Sequence, residues 1–505
     1  MESATRQEGA AEGEGSRAVV ARNAFHLVLG QVATTAIAIV LSAALGRSLG
    51  ASDFGVYYLI TTVSIFGYVF VEWGQGLLVI REVARAPARA GDLLGTALVS
   101  RAAFAALVAI PSALAARTLG SDSRVPWLAA ALILATLPQS LGLAYGMIFR
   151  GHDRMGRDAV VSVANKALVL CLVLPALKLG AGLPGVVAAQ ALAGVASLAL
   201  ATRLLRPLAI GRLRFSRATA RELLVDGAPI VALTAAISAQ PYLDAIILSR
   251  LVPPDAVGWF GAARNVLGTL MAPATILGAA CYPRLARASA EPAVLGQEVR
   301  AALRPMLWLG ALAGTGTYLF AHPVIQLIFG ARHFGPAGTI LQVFSPGLFL
   351  LFIDILLGTV VYAIGSGTGF AVAKILSVAL GAALDFLFIP YFQARTGNGG
   401  IGVMVSFAAS EIVVFAGSMV VLRRRHLLHW SAAGDVARAL GSAGATLLLL
   451  GALPPLPAWA GIPLCVAAFS AASLAFGLLG LRDLALVRAL VRRAPAPATS
   501  AGGRG

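Results

Sequence analysis

The chain has 505 residues, of which 58% are hydrophobic and only 12% are charged. Soluble proteins carry about 25% charged residues, so this composition excludes an ordinary soluble protein and indicates one embedded in lipid. The net charge of +17 does not indicate nucleic-acid binding, because the basic residues lie in short segments between apolar runs, where the positive-inside rule of membrane proteins places them.

Apolar runs of about 20 residues fill most of the sequence, and each is long enough to cross ~30 Å of hydrocarbon. We predict helices, because only helices and closed barrels satisfy the backbone in lipid and these runs are too long for barrel strands. The fourteen predicted spans are 23–46, 56–80, 93–115, 126–149, 159–179, 183–205, 227–249, 257–281, 305–329, 338–364, 370–391, 400–422, 437–454 and 459–480. Prolines inside the runs, at Pro138, Pro241, Pro273 and Pro346, predict kinks.

The basic residues are distributed unequally between the segments that connect these spans. With a cytoplasmic N-terminus, 28 of the 39 Lys and Arg fall in inner segments, 7 in outer segments and four inside spans. The positive-inside rule therefore predicts that both termini are cytoplasmic.

A repeat relates the two halves of the chain at an offset of 203 residues. Under this shift Arg47 falls on Arg250, Gly55 on Gly258, Arg81 on Arg284 and Arg101 on Arg304. The first helix of each copy starts on the same side, so we predict two parallel six-helix lobes related by an axis along the membrane normal. The predicted organisation is a disordered cytoplasmic tail at 1–21, an N-lobe with helices 1–6 at 22–205, a cytoplasmic inter-lobe loop at 206–226, a C-lobe with helices 7–12 at 227–422, helices 13 and 14 at 423–480, and a cytoplasmic tail at 481–505.

Arg47 and Arg250 occupy equivalent places on the outer rim of the two predicted lobes. Each arginine either snorkels and caps the C-terminus of its own helix, or flanks the outer mouth of a cleft between the lobes. Both interpretations remain open at this point.

Several charges lie inside the predicted spans. A charge at the bilayer centre costs ~2.5–3.5 kcal/mol on insertion scales, so each needs a partner or an aqueous cavity. The basic ones are Arg101, Lys166, Arg264 and Lys374, and the acidic ones are Glu72, Asp244, Asp354, Asp385 and Glu411.

Asp244 and Arg264 lie at equal depth in neighbouring antiparallel helices, each six residues from the outer end, which is about 9 Å at 1.5 Å per residue. This depth predicts an ion pair, which either holds the two helices together or takes part in transport. Asp244, Glu72 and Asp385 are the candidates for ion pairing or ion coupling, while the intramembrane bases favour an anionic cargo because arginine and lysine bind phosphate. The first helix has no carboxylate, whereas an organic-cation transporter commonly has one there.

Short motifs in a fixed order resemble the bacterial polysaccharide flippases, whose superfamily also contains the multidrug and toxic-compound extruders and the lipid II flippase. The motifs are RNAFH at 22–26, GRSLGASDFG at 46–55, VGWFGAAR at 257–264, LIFGARHF at 327–334, and FIPYF at 388–392 with GNGGIG at 397–402. The resemblance extends over about residues 20–425.

This resemblance implies an all-α polytopic membrane protein with two six-helix lobes around a central cavity and two extra C-terminal helices. It further implies that the protein moves an undecaprenyl-pyrophosphate-linked oligosaccharide from the inner to the outer leaflet of the bacterial cytoplasmic membrane by alternating access. Arg47, Arg81, Arg250 and Arg264 match family-like motifs as cationic cavity residues, whereas Lys166, Lys374 and Arg101 rest on the depth argument alone.

The expected partners are the lipid-linked glycan, membrane lipids, and a polysaccharide polymerase with its glycosyltransferases. No metal, no cofactor and no catalytic residue is expected, although an H⁺ or Na⁺ gradient could drive turnover. The alternatives are a drug or metabolite antiporter of the same superfamily and, third, a membrane enzyme such as a polymerase. An enzyme would need a sizeable outer loop bearing carboxylates, and Asp53, Asp122 and Asp255 lie in very short ones.

Overall fold

The computed structural model describes residues 2–117, 122–208, 210–365, 367–424, 430–454 and 456–480. Regular structure in these ranges is helical, and they contain no β-strand. The α-helices are α1 Glu2–Glu72, α2 Gln75–Arg85, α3 Ala90–Arg117, α4 Val125–Gly151, α5 Met155–Lys178, α6 Gly182–Leu205, α7 Arg217–Leu251, α8 Pro254–Leu270, α9 Ala272–Ala288, α10 Pro292–Phe329, α11 Ala331–Val343, α12 Ser345–Ala363, α13 Gly367–Thr396, α14 Gly400–Arg424, α15 Trp430–Gly451 and α16 Ala458–Ala475.

Eleven helical segments among the described residues are long and apolar enough to cross a membrane, or twelve if the two halves of α7 form one bent span. The prediction of a polytopic helical membrane protein is confirmed, but the number fourteen is not. Relative to twelve, two of the predicted spans are not counted. The first segment, Leu29–Arg85, is 57 residues long and joins the first two predicted spans, and α15, which contains most of the predicted span 437–454, is not among the candidate spans.

Glycine geometry divides this first segment. Gly50 has φ +74° and ψ 178°, a conformation that residues other than glycine rarely adopt, and α1 has a kink there that divides it into two helical parts. A second break follows at Trp73 and Gly74, whose φ values are +49° and +68°. The chain thereby turns between the two apolar runs that the sequence predicts as separate spans.

The bend in α7 has its origin in a proline. Its two parts, Arg217–Ala236 and Ser238–Leu251, meet at 49°. Pro241 has no N–H for the carbonyl of residue 237, four positions earlier, and its ring clashes with that carbonyl. The predicted kink at Pro241 is therefore confirmed. By contrast, Pro273 and Pro346 lie in the first turns of α9 and α12, where proline is tolerated because those N–H groups have no helical partner.

The two predicted tails have different outcomes. The structure describes residues 2–21, predicted as a disordered tail, as the first turns of α1. Alanine, glutamate and arginine are common in this stretch and favour helix, which accounts for the difference. The predicted C-terminal tail, 481–505, lies outside the described residues.

The chain divides into two compact units. Unit 1 contains Met1–Thr269, Val324–Ile340 and Lys374–Ser410, and unit 2 contains Leu270–Pro323, Leu341–Ala373 and Glu411–Gly505. Unit 1 therefore holds the whole predicted N-lobe together with α7 and most of α8, so its boundary differs from the predicted inter-lobe loop at 206–226. The lobe boundaries themselves stay a prediction.

Candidate functional site

The two copies of the sequence repeat meet in unit 1 through a pair of glycines. A β-carbon at Gly55 would overlap the carbonyl oxygen of Pro254, and one at Gly258 would overlap the carbonyl oxygen of Ala51. The 203-residue shift carries Ala51 onto Pro254 and Gly55 onto Gly258. Gly55 of the first copy thus lies against Pro254 of the second copy, and Gly258 of the second copy lies against Ala51 of the first. A two-fold axis produces this reciprocal pattern. The contact agrees with the axis that the repeat predicts, and the axis itself stays a prediction.

Arg47 lies near this crossing but is engaged by another helix. Its Nε donates to the carbonyl oxygen of Ile328 at 2.9 Å, and its Nη2 donates to that of Leu327. These carbonyls belong to the last turn of α10, where oxygens have no helical partner and where a positive charge is favourable. Arg47 therefore caps the C-terminus of α10, whereas the predicted alternative had it cap its own helix.

Five segments bring polar side chains together in the interior of unit 1. We call this set the carboxylate cluster, and it consists of Tyr58 on α1, Asp244 on α7, Arg264 on α8, Asp385 on α13 and Ser406 on α14. Asp244 and Arg264 both interact electrostatically with the hydroxyl of Tyr58. The direct ion pair between Asp244 and Arg264 stays a prediction.

Asp385 is the most enclosed carboxyl group of the cluster. Its residue is 0% exposed, and it lies next to the carboxyl of Asp244 and the hydroxyl of Ser406. Neither of its oxygens makes a hydrogen bond of normal geometry in the described residues. A buried carboxyl without such a bond carries a large desolvation cost, which a proton or a bound cation would relieve.

A hydroxyl and amide network involves the same helices as the cluster. Nε2 of Gln240 donates to Oγ of Ser410 at 3.0 Å, and Oγ of Ser377 donates to the carbonyl of Ser410 at 2.8 Å. The side-chain oxygen of Gln240, a residue only 2% exposed, has no hydrogen-bond partner in the described residues. The interior of unit 1 is therefore polar as well as charged.

Arg264 is half-buried, and its guanidinium lies over the ring of Phe407 with its central carbon 5.6 Å from the ring centroid. An aromatic face supports a cation without neutralising it. Arg264 thus keeps donors for an additional anionic group.

Arg101 is held in a separate site. It is 1% exposed, and its guanidinium donates to Oε1 of Gln75 at 3.2 Å and to the carbonyl of Ser140 at 2.7 Å. Glu72, whose side chain is 49% exposed, is its acidic neighbour at 3.8 Å. The prediction that Arg101 contacts cargo does not fit this enclosure, because the protein itself occupies the guanidinium; its contacts join α3 to α4 and to the turn after α1.

The remaining predicted cations lie on separate helices. Arg250 is exposed at the end of α7, and Lys166 is half-buried on α5; neither makes a hydrogen bond or ion pair within the described residues. Lys374 is half-buried on α13. The structure thus brings together Asp244, Arg264 and Asp385, and separately Glu72 and Arg101.

Sequence reasoning missed the uncharged members of the site, among them Tyr58, Gln240 and Ser406. One signal was available: Ser406 and Ser410 are four residues apart, on one face of an otherwise apolar helix. The partners of Ser410 on α13 and α7, Ser377 and Gln240, lie 33 and 170 positions away along the chain, and no local pattern identifies them.

Comparison with known proteins gives two findings at the level of sequence. The model of the family described as "Polysaccharide biosynthesis protein" matches residues 20–289, slightly more than half of the chain. A protein of Escherichia coli (strain K12) that bears the name "Putative O-antigen transporter" is 26% identical over 419 residues, which cover 81% of this chain and 97% of that protein.

Solved structures share the fold. A structure of the lipid II flippase MurJ in an inward closed conformation has a TM-score of 0.72 at 12% identity, and the match covers 91% of this chain and 100% of that one. An inward-facing multidrug resistance transporter of the MATE family has a TM-score of 0.64 at 17% identity, with 77% and 94% covered. At these identities the likeness establishes the all-helical fold alone.

Proposed function

Because the chain belongs to the polysaccharide biosynthesis protein family, we propose that it moves a polyprenyl-pyrophosphate-linked oligosaccharide across the cytoplasmic membrane of a bacterium by alternating access. The observation that carries the proposal is the match with a relative named for O-antigen transport over 97% of that relative's length. The reciprocal contact of Gly55 and Gly258 supports the mechanism, since two repeated halves that meet at an axis can rock against each other.

We infer the residues that contact the cargo from the cations whose donors are not already used by protein oxygens. Arg47 and Arg101 donate to protein oxygens, whereas Arg264, Arg250 and Lys166 keep donors free of acceptors in the described residues. We assign the pyrophosphate or an acidic sugar to Arg264 first, because its half-buried position strengthens its field on an anion. Arg250, Lys166 and Lys374 are further members of the proposed basic cleft.

The experiment measures export of the native glycan in a deletion strain that carries variants at matched expression. Arg264→Ala should lose most export, and Arg264→Lys should keep part of it, because lysine retains the charge but not the bidentate geometry. The matched control is Arg395→Ala, which removes another arginine that lies over an aromatic ring, that of Tyr391 at 4.5 Å, and should leave export unchanged. Neutral substitutions at all four proposed cleft positions with normal export would overturn the basic cleft, and normal export in the deletion strain itself would overturn the flippase.

Ion coupling belongs to the same proposal. Asp244 and Asp385 place two carboxyls side by side in a buried site, and two like charges at such a distance favour the binding of a proton or Na⁺ between them. Asp385→Asn should therefore abolish gradient-driven uptake of the lipid-linked glycan into proteoliposomes but leave its binding intact. Uptake that keeps its response to imposed pH and Na⁺ gradients would exclude this role.

The alternatives fit less well. Two of the three carboxylates that an enzyme could use outside the membrane, Asp53 and Asp122, both pair with Arg124, at 2.7 and 2.8 Å. A transporter of organic cations commonly has a carboxylate on the first span, and residues 15–52 contain none. A polysaccharide polymerase and glycosyltransferases are the proposed partners, because they make the cargo and consume it.

A further inference from the structure

An apolar groove of about 1240 Å³ lies within unit 2, between α10, α12, α14 and α15. It exceeds the ~300–1,000 Å³ of ordinary small-molecule pockets. Its walls are aliphatic and aromatic, with Leu303, Phe349, Ile353, Leu440 and Leu447 among them, and the described lining has no Asp, Glu, Asn or Gln. The groove therefore suits hydrocarbon chains and offers little to the hydroxyls of a sugar.

A group of arginines lies at one end of this groove. Asp435 is 0% exposed. Its carboxylate forms ion pairs with Arg438 at 2.8 Å, Arg304 at 3.3 Å and Arg300 at 3.9 Å. We call Asp435 with these three residues the arginine group. Leu303 and Val436 line the groove. They are the chain neighbours of Arg304 and Asp435, which places the group at that end.

The arginine group has more donors than its own acceptor can use. Three guanidinium groups carry fifteen N–H donors, about four times what one carboxylate accepts. The group has a net charge of +2, and its arginine side chains are 41–47% exposed. Arg423, a lining residue at the same end, adds a further charge and makes no hydrogen bond or ion pair within the described residues.

We propose that unit 2 binds an anionic phospholipid of the surrounding membrane, with its phosphate on Arg423 and the arginine group and its acyl chains in the apolar groove. Guanidinium groups bind phosphate oxygens bidentately, and basic pockets between membrane helices recognise anionic lipid headgroups. A phosphodiester headgroup fits better than a glycan-bearing carrier. The groove offers cationic donors next to apolar walls, its described lining has no Asp, Glu, Asn or Gln for sugar hydroxyls, and the carboxylate of Asp435 is buried and already paired with arginines. The site goes beyond the proposed function and does not depend on which cargo is moved.

The test is native mass spectrometry of the purified full-length protein, titrated with phosphatidylglycerol or with phosphatidylcholine of the same acyl chains. Phosphatidylglycerol should be retained selectively, and Arg423→Gln and Arg438→Gln should each lower its affinity about fivefold. Both variants leave Arg304 and Arg300 on Asp435, so the buried carboxylate keeps its partners. Ala443→Phe, which narrows the groove, should lower retention of both lipids.

The matched control is Arg287→Gln, which removes an exposed arginine of unit 2 that lies outside the groove and makes no hydrogen bond or ion pair with the described residues. It should bind phosphatidylglycerol like the unchanged protein. Equal retention of the two lipids, or unchanged affinity in the Arg423 and Arg438 variants, would overturn the proposal. Displacement of phosphatidylglycerol by an equimolar polyprenyl phosphate would assign the groove to the carrier and overturn it as well. None of these readouts involves transport, so failure here is separate from failure of the flippase function.

Discussion

At the scale of single residues, the contacts of Arg101 hold neighbouring helices together. It is enclosed, and its charge is balanced by Glu72, Gln75 and the carbonyl of Ser140. We predict that Arg101→Met destabilises the protein by about 1–3 kcal/mol, because the variant leaves the buried acceptors on Gln75 and Ser140 without their donor. Arg101→Lys should recover only part of this, since an ammonium cannot reproduce the planar fork. The measurement is thermal unfolding in detergent.

Arg250→Met is the control for this prediction, because Arg250 is exposed and makes no hydrogen bond or ion pair with the described residues. Its melting temperature should stay unchanged. A normal melting temperature and lost export in Arg101→Met would instead support the contact with cargo that the sequence predicts.

Asp122 provides a pH-dependent test at the same scale. The hydrogen bond from Arg124 holds the pKa of Asp122 below its ordinary value. Its contribution to stability is therefore complete above the ordinary aspartate pKa of ~3.9 and is lost as the pH falls through the lowered value. Asp122→Asn should lose at most ~1 kcal/mol at pH 7, because Arg124 is 45% exposed and the pair is screened.

The deficit of Asp122→Asn should disappear at a pH below the lowered pKa of Asp122, where the aspartate of the unchanged protein is protonated as well. Asp226→Asn, which changes an exposed carboxylate without an ion pair in the described residues, should show no deficit at either pH. A deficit of equal size at both pH values would mean that the ion pair is not its cause.

At the scale of the helices, the crossing of α1 and α8 has no room for a side chain at either of its two glycines. A β-carbon on Gly55 or Gly258 would overlap the backbone of the other helix. Gly258→Ala should therefore separate the two helices at a cost of about 1–3 kcal/mol. If this crossing closes and opens during alternating access, the variant should insert normally into the membrane and lower export by about tenfold or more.

Gly268→Ala is the matched control, because Gly268 lies on the same helix and a β-carbon there would meet no atom within 4 Å. Its export should equal that of the unchanged protein. Normal export in Gly258→Ala would show that the crossing does not have to close as tightly as the structure describes.

At the scale of the whole molecule, the charge distribution predicts cytoplasmic termini. Cysteines introduced at Ser52 and Arg217 test it, since both residues are exposed in the structure and reactivity depends on the side of the membrane. An impermeant thiol reagent added outside the cell should label Ser52→Cys and miss Arg217→Cys. After the membrane is made permeable, both should react; the opposite pattern in intact cells would reverse the orientation.

The sequence by itself determined the class, the helices and the repeat. Apolar runs of membrane-spanning length are local, and lipid leaves the backbone few alternatives to helix, so composition and run length suffice. The kink at Pro241 was equally predictable, because proline acts on a carbonyl only four residues away. The 203-residue offset also pointed to the pair Gly55 and Gly258 before any contact was known.

Only the tertiary structure decided which charges meet. Arg47 and Arg101 are both arginines that the sequence predicts as cleft residues, yet one caps α10 and the other is enclosed beside Gln75 and Ser140. The neighbours of Asp385, and the three arginines around Asp435, come from helices far apart in the chain. Helix periodicity specifies the face on which a residue lies, but the partner of that face depends on how helices distant in sequence pack together, and no local pattern encodes this.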